Sequence, residues 1–380
     1  MTDETYQRQI SGVDADGRYV LAGIVNRTYA LDKRGALVLA PAATAQPLRE
    51  EPLFDDNVLG LMLDDTDLYA AKPQTDVVVE GYACAARPCA QFTAKVAVGG
   101  TVKRILVSGP RRCEPGRRGL RLSSAQPVER VQLSYVNAYG GHDALAEQRR
   151  GNHLAELAKY MPLHDLRMAS PFVYPRNPAG VGYSLESDAA ALEQLRLPQL
   201  EDPDDPLTAE RLVCPAPERW SAMPLPWSTG FVHLGVFPRS AWIGLVPDLD
   251  PATLPLLEVA RGYCSPELLT PGLTLPRFDM RVASGASLGL QLPYVQPGTE
   301  VVLSNLHPMQ PELRFELPPE LPKIQVDGRN GKLLETQTVI QTIRIYPSLQ
   351  RVVLTFRGSA QALRPYAAEE LQHMPFEVGW

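Results

Sequence analysis

Proline sets the narrowest limits on what this chain can fold into. Its 380 residues carry 36 prolines and 28 glycines. Proline breaks helix interiors and central strands and suits loops and sheet edges. The densest irregular stretch joins YPRNPAGVGY (Tyr174–Tyr183) to LPQLEDPDDPLT (Leu197–Thr208). A long loop inside a compact domain is either functional or disordered, and Tyr174, Arg176, Asn177 and Tyr183 supply the anchors of an ordered, shaped one. The chain exceeds the usual single-domain size, which predicts two lobes or one large composite β unit. A hydrophobic fraction of 44% provides a substantial core.

Hydrophobic periodicity assigns the elements between the prolines. Apolar, β-branched runs predict strands at Tyr19–Leu31, Val77–Tyr82, Phe92–Val98, Val102–Val107 and Val128–Tyr135, with a tight hairpin at Gly99–Gly100. Late in the chain, Leu313, Phe315 and Leu317 alternate with charged residues, Val352, Leu354 and Phe356 alternate with Arg351, Val353, Thr355 and Arg357, and Ile343 and Ile345 bracket Arg344. Strict period two predicts antiparallel sheet with one face buried and one wet. Asp327–Gly328 and Asn330–Gly331 mark a hairpin between Lys323–Val326 and a long strand from Leu333. Short helices are expected at Asp143–Tyr160, at Ser187–Leu195 and after Asp250. The fold is therefore read as mainly β. An N-terminal β region (1–140) and a C-terminal antiparallel β region (271–380) are joined by a loop-rich, Pro-rich middle with short helices (141–270).

Composition excludes several functions. A formal charge of −6 gives no footprint for nucleic acid, which calls for a basic patch and a high pI. Arg111–Arg112 and Arg117–Arg118 read as a solvated hairpin tip, with an acidic partner site as the alternative. The polar N-terminus has no export-signal core, and no apolar run reaches the roughly 18 residues that suggest a membrane span. Five cysteines without such a signal suggest free thiols in a reducing cytoplasm.

Candidate chemistry is sparse. Gly285-Ala286-Ser287-Leu288-Gly289 has the spacing of a serine elbow, with a strand expected before it at Phe278–Val282, but Pro293 and Pro297 bar the helix that must follow. His142, His153 and His164 share one helical face only if Gly151 and Pro162 do not break that helix. Asp202, Asp204 and Asp205 lack the glycine and closing glutamate of a calcium loop. Asp64, Asp65 and Asp67 read as a solvated loop entering a strand, and Cys84 and Cys89 lack the second pair a metal site needs. No catalytic, cofactor or metal set is predicted. A β-fold hydrolase using Ser287 is the rival from another class.

Four segments together look familiar. DTDLYAAKPQTDVVVEG (Asp65–Gly81), SYVNAYGG (Ser134–Gly141), the two loop segments above and SLGLQLPYVQPGTEVVLSNLHP (Ser287–Pro308) resemble a family of bacterial type VI secretion accessory proteins, the effector adaptors. The similarity runs from about Tyr19 to Gly358. It implies a cytoplasmic, non-catalytic adaptor or chaperone that holds a toxin and helps load it onto a PAAR-like or VgrG spike protein. A structural component of the secretion machine is the alternative. The motif and partner-binding positions it marks are Lys72, Asp76, Asn137, Tyr174, Arg176, Asn177, Tyr183, Asp202, Asp205, Trp227 and Asn305. Trp220 and Trp242 are further aromatic anchors, and edge strands offer strand addition as a second mode.

Overall fold

The computed structural model describes residues 6–56, 61–117, 119–150, 172–174, 177–185, 192–193, 195–212, 280–287, 289–328 and 331–380. Strands dominate them. The first are β1 (Gln7–Val13), β2 (Tyr19–Leu31), β3 (Leu37–Leu39), β4 (Leu53–Phe54), β5 (Met62–Asp64), β6 (Thr75–Val79), β7 (Tyr82–Cys89) and β8 (Gln91–Val98). Next come β9 (Thr101–Ser108), β10 (Cys113–Gly116), β11 (Gly119–Leu122), β12 (Val128–Gln132), β13 (Tyr139–Gly140), β14 (Val181–Gly182) and β15 (Leu200–Glu201). The last are β16 (Gln291–Leu292), β17 (Glu300–Ser304), β18 (Glu312–Glu316), β19 (Lys323–Asp327), β20 (Leu333–Glu335), β21 (Gln337–Tyr346), β22 (Arg351–Gln361) and β23 (Phe376–Gly379). The fold is mainly β, as the alternation predicts. Gly99, at φ 53°, makes the expected tight turn from β8 to β9.

Two large sheets share one core. The first runs β1-β2-β22-β21-β6-β16, with β3 paired to β2, and the second runs β15-β9-β8-β17-β18. Leu21, Val25, Ile343, Ile345, Leu354 and Phe356 of the first join Val96, Ile105, Val301, Leu303 and Phe315 of the second in a single buried cluster. Each such side chain stabilises the fold by roughly 1.5–3 kcal/mol. A third sheet, β20-β19-β23, presses Ile324 and Phe376 against Gly23 of β2. The strand expected to run on from Leu333 breaks at Thr336, so that β20 pairs with β19 while β21 enters the first sheet.

The N- and C-terminal β regions do not lie side by side as two lobes. β2 lies beside β22, β8 beside β17, and β6 between β21 and β16. The β6–β21 pair is parallel, with Asp76 opposite Thr342 and Val79 opposite Ile345, where the alternation predicts antiparallel pairing.

The wet face predicted for β21 and β22 is covered. Arg344 is 6% exposed, Arg357 7% and Thr355 fully buried. The segment Asp64–Lys72, expected as a solvated loop, lies across them. Asp67 Oδ1 accepts from Arg344 (2.8 Å) and Thr355 Oγ1 (3.0 Å), and its Oδ2 accepts from Asn26 Nδ2 (3.0 Å) and the Arg49 N–H (2.9 Å). Arg344 also donates to the Asp65 carbonyl (3.0 Å) and pairs with Asp64 (3.2 Å). Farther along, Arg357 donates to the carbonyls of Ala70 (3.1 Å) and Lys72 (3.0 Å). Lys72 forms a buried pair with Asp76 (2.7 Å), which also accepts from the Gly285 N–H (2.6 Å). Removing one partner of a buried pair strands the other charge. Arg344→Ala is therefore expected to lower unfolding stability by about 3–5 kcal/mol, read from urea midpoints.

The proline-rich loop is ordered where it is described, and the turn at Ser134–Gly141 holds it. Asn177 is 1% exposed, and its Nδ2 donates to the carbonyls of Tyr135 (2.9 Å) and Tyr139 (3.0 Å). β13 and β14 pair in parallel beside it. Gly140 and Gly141 have φ of 146° and 106°, and a Cβ on either would meet the Asn177 or Gly180 carbonyl within 2.4 Å. Tyr174 is fully buried, edge-on to Tyr139 at 5.1 Å and tilted against Tyr183 at 5.6 Å. The acids of Leu197–Thr208 clamp the loop to the edge of the second sheet. β15 pairs with β9, Lys103 pairs with Asp202 (3.7 Å), Arg104 with Asp204 (2.8 Å) and Arg211 with Asp205 (2.5 Å). Arg111, expected at a solvated tip, is instead buried against Glu201, although β10 and β11 do form the hairpin. Asn177→Ala should cost about 1–3 kcal/mol, measured by thermal unfolding, because it removes two buried hydrogen bonds that tie the loop to the Ser134–Gly141 turn.

Candidate partner-recognition pocket

The Asp65–Gly81 segment ends at a concave site. β6 stops at Val79, Glu80 and Gly81 turn the chain, and β7 begins at Tyr82. Opposite, Pro347 starts a single 3-10 turn, Pro347–Leu349, and Gln350 at φ 49° reverses the chain from β21 into β22. That turn leaves Leu349 60% exposed. With Leu63 of β5 and the end of β12, these elements enclose a cavity of about 440 Å³. Leu63 and Leu349 form its apolar rim, Glu80 and Tyr346 its polar lining, and Arg130 stacks over Tyr82 at 3.5 Å on one wall.

Glu80 is the unusual group. Burial pushes its carboxyl up to about 7, and the neighbouring Asp64 adds to the rise, against the opposing pull of Arg344 and Arg49. Asp64 is itself raised, because burial outweighs its two arginine partners. Tyr346 is raised by burial and by Glu80, and its hydroxyl donates to Gln46 Oε1 (3.1 Å). A carboxyl raised this far offers both a protonated and an ionised form near neutral pH, beside an apolar rim. This chemistry suits an apolar side chain with a polar tip, the kind of anchor that dominates protein interfaces.

The marked residues fall elsewhere. Lys72, Asp76, Asn137, Tyr174 and Asn177 are buried in the framework described above. Asn137 Oδ1 accepts from Arg196 (2.8 Å). Tyr183, Asp202, Asp205 and Asn305 are half-buried. Asn305, at φ 58°, donates to the Thr93 carbonyl (2.9 Å) to turn the chain after β17. Arg176, Trp220, Trp227 and Trp242 lie outside the described residues, as do His153, His164, the helix after Asp250 and most of the Ser187–Leu195 helix. Ala144–Arg150 is the described part of the helix expected at Asp143. Ser287 is buried, and its Oγ has no hydrogen-bond partner among the described residues. A 3-10 turn, Met280–Ala283, stands where a strand was expected before it. Among the described residues no cluster of His, Cys, Asp or Glu could hold a metal.

Sequence reading missed Glu80, Tyr346, Leu63 and Leu349. The only local sign was an acid placed directly after the apolar run of β6.

The chain belongs to a bacterial protein family: residues 16–357 match the family described as an uncharacterized protein conserved in bacteria (DUF2169). No curated protein and no solved structure matches it. No helix among the described residues is long and apolar enough to cross a membrane.

The Glu80 shift predicts a pH dependence. Between its unfolded value of 4.5 and about 7 the folded chain binds the extra proton, so stability falls as pH rises through that window. The full penalty above it is about 3 kcal/mol. Glu80→Gln should flatten this slope and stabilise the chain at pH above 7, read from urea unfolding across the window.

Proposed function

We propose that the chain is a non-catalytic adaptor that holds a type VI secretion effector and helps deliver it to a PAAR-like or VgrG spike protein. The Glu80 pocket carries this reading. It is built where two of the segments that resemble the adaptor family, Asp65–Gly81 and Ser134–Gly141, come together, since Glu80, Gly81 and Ser134 all line it. At the other end of β6, the motif residues Lys72 and Asp76 form a buried pair that locks that strand into the sheet. A rigid base under a preformed pocket lowers the ordering cost of binding. The exposed Leu63 and Leu349 give a partner apolar surface to cover.

Co-expression with the products of neighbouring genes tests the reading. A toxin or PAAR-like protein should co-purify at fixed stoichiometry. Leu349→Asp should then weaken that complex by about tenfold or more, with the unfolding temperature of the isolated chain unchanged. Failure of every neighbouring product to bind would overturn the proposal.

A further inference from the structure

A second surface runs along β1, the outermost strand of the first sheet. Its hydrogen-bonding phase follows from its neighbours. The Asp14 N–H donates to the Arg18 carbonyl, and the Ala362 N–H donates to the Tyr19 carbonyl. With Ile10 opposite Ala22 and Gly12 opposite Val20, the even residues of β1 bond to β2. Gln7, Gln9 and Ser11 therefore turn their N–H and C=O groups outward, to an edge that no other strand among the described residues occupies. A groove of about 950 Å³ follows that edge. Leu68 borders it on one face, and Tyr366, Leu371 and Phe376 on the other.

Two observations mark this edge as more than leftover surface. The free strand β18, at the margin of the second sheet, carries Glu312, Arg314 and Glu316, all exposed, which discourages pairing. Within β1 the charge is Arg8, and Glu50 engages it. Gln9 is 6% exposed and lines the groove, yet neither its Oε1 nor its Nε2 has a hydrogen-bond partner among the described residues. A buried carboxamide without partners is costly to the free protein. Its one acceptor and its donor pair complement the C=O and N–H of a peptide unit. The helix Ala368–His373, on the same side of the groove, has no fully buried residue and meets the core through Leu371.

We propose that the β1 edge captures an extended segment of a partner polypeptide as an added strand, with apolar side chains at alternate positions. Outward backbone groups of β1 supply the ladder. Gln9 bonds one peptide unit, and the flanking Leu68 and Leu371 take the side chains. The inference deepens the adaptor reading, resting on it for the ligand being a polypeptide.

The test pans the full chain against phage-displayed random heptapeptides, matched to the seven residues of β1. Binders with alternating apolar residues are expected. Ser11→Pro removes an outward N–H while sparing the β2 bonds, and should abolish their binding. Gln9→Met should weaken it at least about tenfold and raise the unfolding temperature of the free chain, because a buried orphan amide is gone. Leu349→Asp should leave peptide binding unchanged. Should Ser11→Pro fail to fold, Gln9→Met carries the test. The proposal is overturned if no peptide is selected, if Gln9→Met binds as tightly as wild type, or if Gln9→Met lowers the unfolding temperature. A concentration-dependent dimer lost in Ser11→Pro would also overturn it, assigning the edge to a second copy. Peptide capture without any complex from neighbouring genes sinks the adaptor reading and keeps the groove. A neighbour complex indifferent to Ser11→Pro and Gln9→Met does the reverse.

Discussion

The pairing of Asp67 with Arg344 is the constraint on which the rest of the molecule depends. Taking two charges out of water costs several kcal/mol for each ion, and such a pair holds only when the remaining lone pairs and protons are also satisfied. Both Asp67 oxygens are doubly bonded here, by Arg344 and Thr355 on one side and by Asn26 and Arg49 on the other. The donors come from three separate parts of the chain, β2, the strand pair β21–β22 and the residues before β5. They accept only one placement of the Asp64–Lys72 segment. A greasy cover would slide more easily, whereas this one has a register.

That register reaches the pocket. Asp64 pairs with Arg344 inside the sealed layer and repels Glu80 at its margin. The layer that closes the outer face of the sheet thus adds to the rise that burial gives the pocket carboxyl. The two proposed binding surfaces divide the labour differently. The pocket offers a fixed shape at a strand-to-strand turn, while the β1 edge offers backbone groups to which a partner must conform.

Much of the fold was legible because alternation is local. β2, β8, β9 and β22 lie almost where their patterns put them, since each apolar face is written in adjacent letters. The misreadings share one physical origin. An arginine at every second position looks the same whether water or an aspartate meets it. Arg344 meets Asp67 across 277 positions of sequence, and no window of the chain displays that pairing. The acids of Leu197–Thr208 misled in a related way. Read as a poor calcium loop, they accept from the loop's own Asp204 and Leu207 N–H groups and also grip Lys103 and Arg104 of β9. The pocket was invisible because its walls come from four distant strands, and Glu80 alone has no motif to announce it.

The strand order also governs how this protein can be made. β2 is complete within the first 31 residues, yet its partner β22 begins at residue 351. β6 waits in the same way for β21. A ribosome adding roughly 5–20 residues per second leaves β2 with only β1 and β3 beside it, and β6 without its partner β21, for tens of seconds. Closure of the first sheet is therefore deferred until β21 and β22 have been made. A nascent copy cut short before β22 lacks the strand that joins β2 to β21, so its first sheet cannot form as one unit.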